Sequence, residues 1–384
     1  MKSMTLLAGV ACALCVPYAA QGACDKQTCD SQSMNVSVKP WGTAPDGSPV
    51  ELYTLSNGTG FSVSVATYGA TVVSIVAPDK NGKLADLVLG FDDPSGYAAC
   101  SSYQGAGIGR YGNRIGGSSF TIDGTTYHVT ANENGNSLHG GKPGYDKVMW
   151  KGEKLCCKDC AGVKMTRLSP DGENGYPGNL EVSMTFRVTA DNSLVISYEA
   201  RTDKATPVNL THHMYYNLSG DPKKDILGNV LTMDADRITP VNAQLIPTGQ
   251  VTSVEGTPFD FRKPTTVGAR VDDADAQLKL GGGYDHNFVF TSSDGTLKKQ
   301  IELFDPESGR AMEISTTEPA VQFYSGNALN EPTGKNGIPL ARRHGLCLET
   351  QHYPDSPNHP NFPSTILQPG KLYSSVTVLH FFVK

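Results

Sequence analysis

Glu181-Val182-Ser183-Met184-Thr185-Phe186-Arg187-Val188-Thr189-Ala190-Asp191-Asn192-Ser193-Leu194-Val195-Ile196-Ser197-Tyr198-Glu199-Ala200 is the stretch on which the reading of the fold turns. Apolar Val182, Met184, Phe186 and Val188 alternate with polar neighbours, the period of a strand with one face on a core. Asp191-Asn192 then supplies a tight turn, and Leu194 to Ala200 resumes the pattern, so the segment predicts an antiparallel hairpin. The same signature recurs outward from it, at Phe61 to Ala66, at Thr71 to Ala77, and at Ser119 to Ile122 before Asp123-Gly124. Turn signals come about every eight to twelve residues, no long helical period competes, and no linker-like stretch divides the chain. The expectation is an all-β protein, with residues 35–384 forming a single large antiparallel β-sandwich. The 41 glycines and 24 prolines among 384 residues suit so turn-rich an architecture.

Charge and composition exclude several functions. A formal net charge of -6 without a basic run argues against a nucleic-acid surface, which needs clustered Lys and Arg to displace counterions. No membrane partner is expected, because the one continuous apolar run, Leu6 to Val16, is too short to span a bilayer. Preceded by Lys2 and followed by small Ala20 and Gly22, that run reads as a secretory signal peptide over residues 1–22. Residues 23–34 then form a polar, Cys-bearing extension, and a secreted, extracellular protein is expected. Seven cysteines follow the signal, of which Cys24, Cys29, Cys156, Cys157 and Cys160 sit in loops suited to disulfide bonds, with three bridges conceivable. Cys157-x-x-Cys160 lacks the further ligands of a zinc site, so no metal is expected. Of four N-x-Ser/Thr sequons, those at Asn35 and Asn57 are the favoured glycosylation positions. Gly105-Ala106-Gly107-Ile108-Gly109 does not match a dinucleotide fingerprint, and a close backbone approach or a turn is the better account.

Two segments carry the chemistry. Thr206 to Leu218, read as a strand, puts Val208, Leu210, His212 and Met214 on one face and Asn209, Thr211, His213, Tyr215 and Asn217 on the other. His213, on the polar face, is the candidate for proton transfer, and His212, on the apolar one, for a satisfied core histidine. In Gly345 to Gln351, Cys347, Glu349 and Gln351 share a face. A glutamate in mid-strand after Leu346 and Leu348 is partly desolvated, which raises its pKa toward that of a general base. Cys347 on that face is the expected unpaired thiol. Arg114, His139, Asp285 and Gln322 lie in further polar clusters, each weak alone: Arg114 with Asp285 is as readily a structural ion pair, and His139 a loop cap.

Taken in order, Asn113-Arg114-Ile115, Asn136-Ser137-Leu138-His139-Gly140-Gly141, Pro207 to His213, Gly283 to His286, Val321 to Tyr324 and Leu348-Glu349-Thr350-Gln351 resemble the motifs of the aldose 1-epimerase, or galactose mutarotase, family over nearly all of Val36 to Phe382. The resemblance implies the supersandwich form of β-sandwich. It implies His213 as general acid and Glu349 as general base, with Asn113, Arg114, His139, Asp285 and Gln322 binding sugar hydroxyls; Tyr215, beside His213 on its face, is counted with them. The substrate is then a free hexose such as glucose or galactose, the protein a monomer or homodimer, and the reaction one that needs no cofactor. His212 and Met214 stand where the family often has Asn and a small residue, and Met214 next to the acid narrows the substrate range if it reaches the sugar. Competing classes are a glycoside hydrolase pairing Asp285 with Glu349, a hexose-6-phosphate epimerase using Arg342-Arg343, and a non-catalytic sugar-binding protein.

Overall fold

The computed structural model describes residues 34–157 and 160–384. The expected signal peptide, nearly all of the expected Cys-bearing extension and the side chains of Cys156 and Cys157 therefore lie outside the described residues. Met34, assigned to that extension, is buried in the main core, where its apolar side chain packs.

The hairpin predicted around Asp191-Asn192 forms as Leu180–Thr189 and Ser193–Thr202, with Val182 opposite Ala200 and Val188 opposite Leu194. It lies inside a nine-stranded antiparallel sheet that runs in the order Lys151–Cys157, Cys160–Ser169, Leu180–Thr189, Ser193–Thr202, Tyr373–Val383, Arg310–Thr316, Lys298–Phe304, Val230–Met233 and Thr265–Thr266. The last long strand of the chain, Tyr373–Val383, is inserted between Ser193–Thr202 and Arg310–Thr316 and joins distant parts of the sequence into one sheet. A five-stranded meander, Asn35–Thr43 through Leu84–Asp86, and a second five-stranded sheet complete the larger layers. That second sheet has the order Thr252–Ser253, Ala235–Thr239, Asp285–Phe290, Ala320–Tyr324 and Cys347–Gln351.

Side chains from all three sheets meet in one core. Val63, Val65 and Ile75 come from the meander, Val182, Met184 and Phe186 from the large sheet, and Phe288, Phe323 and Leu348 from the second five-stranded sheet. Burial of so much apolar surface on both faces of the layers makes this the dominant stabilising term. A buried hydroxyl chain crosses the core, Thr350 meeting Thr377 at 2.7 Å and Thr377 meeting Thr316 at 3.0 Å. It ties the second sheet to the centre of the large one.

Cys347 is free and buried, as expected, but so is Cys100. With both thiols unpaired, three bridges among seven cysteines are impossible; Cys100 packs against Tyr97 and Phe91 in a satellite cluster instead. Asn57 is also a correction, because its side chain is buried and donates to Asn192 Oδ1 at 2.7 Å, leaving Asn35 as the exposed sequon asparagine.

Phe186 is fully buried and its ring packs edge-on against His212 at 5.1 Å, so it supports both the core and the segment that carries His213. Phe186→Ala is expected to cost about 3–5 kcal/mol of stability. Denaturant unfolding measures it, and a loss below ~1 kcal/mol would contradict this packing.

Candidate active site

Thr206 to Leu218 is not one strand. Short pairings interrupt it: Thr206–Pro207 with Ile366–Leu367, Thr211–His212 with Gly107–Ile108, and a single bridge from Tyr216 to Leu346. Neither face is solvated, since Val208 through Leu218 are all buried. The row predicted as one polar face therefore divides. His213 and Tyr215 line a cavity, whereas Asn209 bonds to the backbone of Gly112 and His352, and Asn217 to the carbonyls of Asp221, Lys224 and His344. His212 is the satisfied core histidine, with Nδ1 2.8 Å from the Tyr198 hydroxyl and Nε2 3.1 Å from the Ala70 carbonyl.

The glycine-rich segment explains how His213 is held. Gly105 N–H donates to the His213 carbonyl at 2.9 Å, and His213 N–H donates to the Ala106 carbonyl at 3.0 Å. Gly105 has φ +65, and a Cβ there would stand 2.2 Å from the Val72 carbonyl oxygen. Only glycine permits so close an approach.

Glu349 comes from Cys347–Gln351, the last strand of its sheet, yet it is buried. The strand ends the sheet without facing water, because the segment around Tyr216 packs along its other side. Alternation sends Leu348 into the core and Glu349 to the opposite side, the cavity. Glu349 Oε1 lies 3.7 Å from His213 Nε2. Burial pushes the Glu349 carboxyl well above the usual carboxylate range, and the neighbouring Asp285 adds to the rise while Arg114 opposes it. Burial lowers His213 to about 4.

Arg114 and His139 arrive on a small two-stranded ribbon in which Arg114–Ile115 pairs with Ser137–Leu138. Asn113 and His139, both in the left-handed region at φ 65 and 51, flank that ribbon, and His139 Nδ1 accepts from Asn113 N–H at 3.1 Å. Strained backbone of this kind persists where surrounding structure over-determines it. Arg114 is clamped by Glu133, with Nε to Oε2 at 2.5 Å and Nη2 to Oε1 at 2.9 Å, and its Nη1 is 3.9 Å from Asp285. Arg114 with Asp285 is thus an ion pair inside the site. Asp285 is raised from its ordinary value by burial, partly offset by Arg114 and by the Gln322 side chain.

The cavity measures about 350 Å³, within the range of small-molecule sites. Asn113, Arg114, His139, His213, Tyr215, Asp285 and Glu349 all line it. Gln322 does not: it sits on the strand between those of Asp285 and Glu349, buried, and its Nε2 donates to Asp285 Oδ1 at 2.7 Å. That bond orients Asp285 and leaves Gln322 Oε1 buried without a hydrogen-bond partner. Met214 is likewise away from the cavity, in the core. Sequence reasoning missed Glu133 and Tyr103, the latter with its ring 4.7 Å from that of His139; neither stands in a patterned segment. Arg342 and Arg343 are not in the cavity, and Arg343 is paired with Asp272 at 2.6 Å, which removes the basis for a phosphate-binding reading.

His139, His213 and Glu349 bring candidate ligand atoms within 4.8 Å of one another. With its Nδ1 lone pair taken by Asn113 N–H, neutral His139 carries its proton on Nε2, so neither ring nitrogen offers a free lone pair to a cation. The arrangement suits hydroxyl recognition and proton transfer.

A family model, Aldose 1-epimerase, matches residues 51–380. The galactose mutarotase of Homo sapiens is 41% identical over 353 residues, covering 91% of this chain and 99% of that protein. The aldose 1-epimerase of Escherichia coli (strain K12) is 38% identical over 340 residues, covering 88% and 97%. Among solved structures, galactose 1-epimerase from Lactobacillus acidophilus NCFM superposes with a TM-score of 0.81 at 27% identity, covering 91% of this chain and 99% of that one. The chain belongs to the aldose 1-epimerase family. It is a carbohydrate isomerase, a mutarotase with the galactose mutarotase-like β-sandwich.

Because Asp285 is a like charge beside Glu349, Asp285→Asn is expected to lower the Glu349 pKa toward the ordinary carboxylate range. Carboxyl-carbon NMR titration reads it, and an unchanged titration would show burial acting alone.

Proposed function

We propose that this mutarotase interconverts the α and β anomers of free hexoses such as glucose and galactose, with Glu349 as general base and His213 as general acid. The observation that carries the assignment is the placement of these two groups 3.7 Å apart on the wall of one sugar-sized cavity, supplied by two separately anchored segments. Glu349 takes the proton from the C1 hydroxyl while His213 delivers one to the ring oxygen, and the bond from C1 to that oxygen breaks. After rotation about C1–C2 the carbonyl presents its other face, and the same pair runs backwards to close the ring.

The shifted protonation equilibria suit this cycle. Glu349 and His213 share one proton, held either as carboxylate with imidazolium or as carboxylic acid with neutral imidazole. Ring opening converts the first form into the second, which burial favours through the raised Glu349 and the lowered His213. Ring closure restores the first. Arg114, Asn113, His139, Asp285 and Tyr215 line the same cavity as donors and acceptors for sugar hydroxyls, and Gln322 holds Asp285 through Nε2 with its Oε1 left for a further bond.

Glu349→Gln and His213→Asn are each expected to slow catalysed mutarotation by about 10²-fold or more, the usual worth of positioned proton transfer. Polarimetry of freshly dissolved α-glucose and α-galactose measures it, and near-normal rates in both folded variants would sink the assignment. Glu133→Gln removes the clamp on Arg114 and is expected to raise KM about tenfold with little change in kcat, the scale of one charge-assisted hydrogen bond.

The same proposal includes export, supported by Lys2, the apolar run Leu6 to Val16 and the small residues Ala20 and Gly22. N-terminal sequencing of the native protein is expected to begin near Ala23. A chain retained in cells with its leader intact would refute this.

A further inference from the structure

The strand that carries Glu349 also supplies a second partner to His213. Cys347 and Glu349 are two residues apart and project from the same face. Cys347 Sγ lies 3.5 Å from His213 Nδ1, within hydrogen-bonding reach of sulfur, while Glu349 Oε1 faces Nε2 at 3.7 Å. One strand thus addresses both nitrogens of one imidazole. The rings of Tyr103, His139, Tyr215 and Tyr324 close around it at 5.9, 5.2, 5.1 and 6.4 Å.

We propose that Cys347 is a positioning residue for the isomerase reaction, its thiol holding Nδ1 of His213 in both protonation states so that Nε2 remains the nitrogen that exchanges a proton with the sugar. The inference rests on the assignment of His213 as the general acid. A neutral thiol is suited to the task because its sulfur is a weak acceptor. Nδ1–H donates to sulfur both in the imidazolium and in the neutral ring left when Nε2 has given its proton, so the Nε2 lone pair is free to take the proton back. No bond is made or broken at sulfur, and no net proton leaves it. A carboxylate in its place would hold the imidazolium tightly and oppose delivery of the proton, and an alkyl group would leave the tautomer unspecified. Burial pushes the Cys347 thiol well up, reinforced by Glu349 and Asp285, which keeps it in the protonated form this role needs.

Cys347 is fully buried beside Leu89, Tyr215, Leu329 and Leu340, so packing alone is the rival explanation. Serine separates the two, since it keeps a donor and acceptor at nearly the same place. Polarimetric kinetics on the full chain compare Cys347→Ala and Cys347→Ser across pH. The expected result is a 3- to 10-fold fall in kcat for alanine, the loss of about one weak hydrogen bond, with KM within about twofold and the His213-dependent limb of the pH profile displaced. Serine is expected to restore both kcat and the profile. Equal losses in both variants, or an alanine variant with unaltered kcat and pH profile, overturn the proposal. Should the alanine variant not fold, ¹⁵N NMR of His213 in the unaltered protein decides: neutral imidazole protonated on Nδ1 supports it, and protonated on Nε2 overturns it. His213→Asn distinguishes the levels of failure. If that variant stays active, the acid assignment itself falls; if it is inactive while Cys347→Ala is normal, only the role of Cys347 falls.

Discussion

Alternation along three adjacent strands governs the site. In Asp285–Phe290, Ala320–Tyr324 and Cys347–Gln351, one set of side chains, including His286, Phe288, Phe323 and Leu348, is committed inward. A period of two then forces Asp285, Gln322 and Glu349 onto the other side. The register places Asn287, Gln322 and Glu349 directly opposite one another, with Asp285, Tyr324 and Cys347 as the next row. A slip of one residue would send the carboxylates into the core and the aromatics into the cavity. The apolar packing therefore sets the geometry of the polar groups, and the site inherits its rigidity from the core.

The opposing wall is fixed by backbone bonding rather than by a long strand. His213 is held through both its N–H and its carbonyl by the Gly105-Ala106 backbone, while Asn113, Arg114 and His139 ride on a separate ribbon. Arg114 spans the two walls, clamped by Glu133 on its own side and facing Asp285 on the other. Charge inside a desolvated cavity is costly unless paired, and this bridge is how the site keeps a guanidinium and a carboxylate together. It also tempers the rise in Glu349 that burial and Asp285 cause.

Desolvation links these walls to the reaction. In water the carboxyl would be ionised and the imidazole weakly basic, and a proton shared between them would lie with the imidazole. In this cavity burial acts on both in opposite directions, raising the acid and lowering the base, which shifts the shared proton toward the carboxylic acid beside a neutral imidazole.

Much of this was legible in the sequence. The hairpin around Asp191-Asn192 and the strands near Phe61, Thr71 and Ser119 follow from local alternation and turn residues, which are properties of neighbours in the chain. Glu349 in mid-strand after Leu346 and Leu348 announced its own desolvation, and the contrast between His212 and His213 followed from their opposite parity. Tertiary structure alone decided the rest. It folded Thr206 to Leu218 into broken pairings with both faces covered, where the sequence showed one continuous polar face, because exposure depends on what other segments pack against a strand. It drew Glu133 onto Arg114, buried Asn57, bonded Gln322 to Asp285, and brought Cys347 to the far nitrogen of His213. Sequence spacing fixes which side of a strand a residue occupies; it carries no distance between residues on separate elements, such as His213 and Glu349 or Arg114 and Asp285, and the distances that make this site are of that kind.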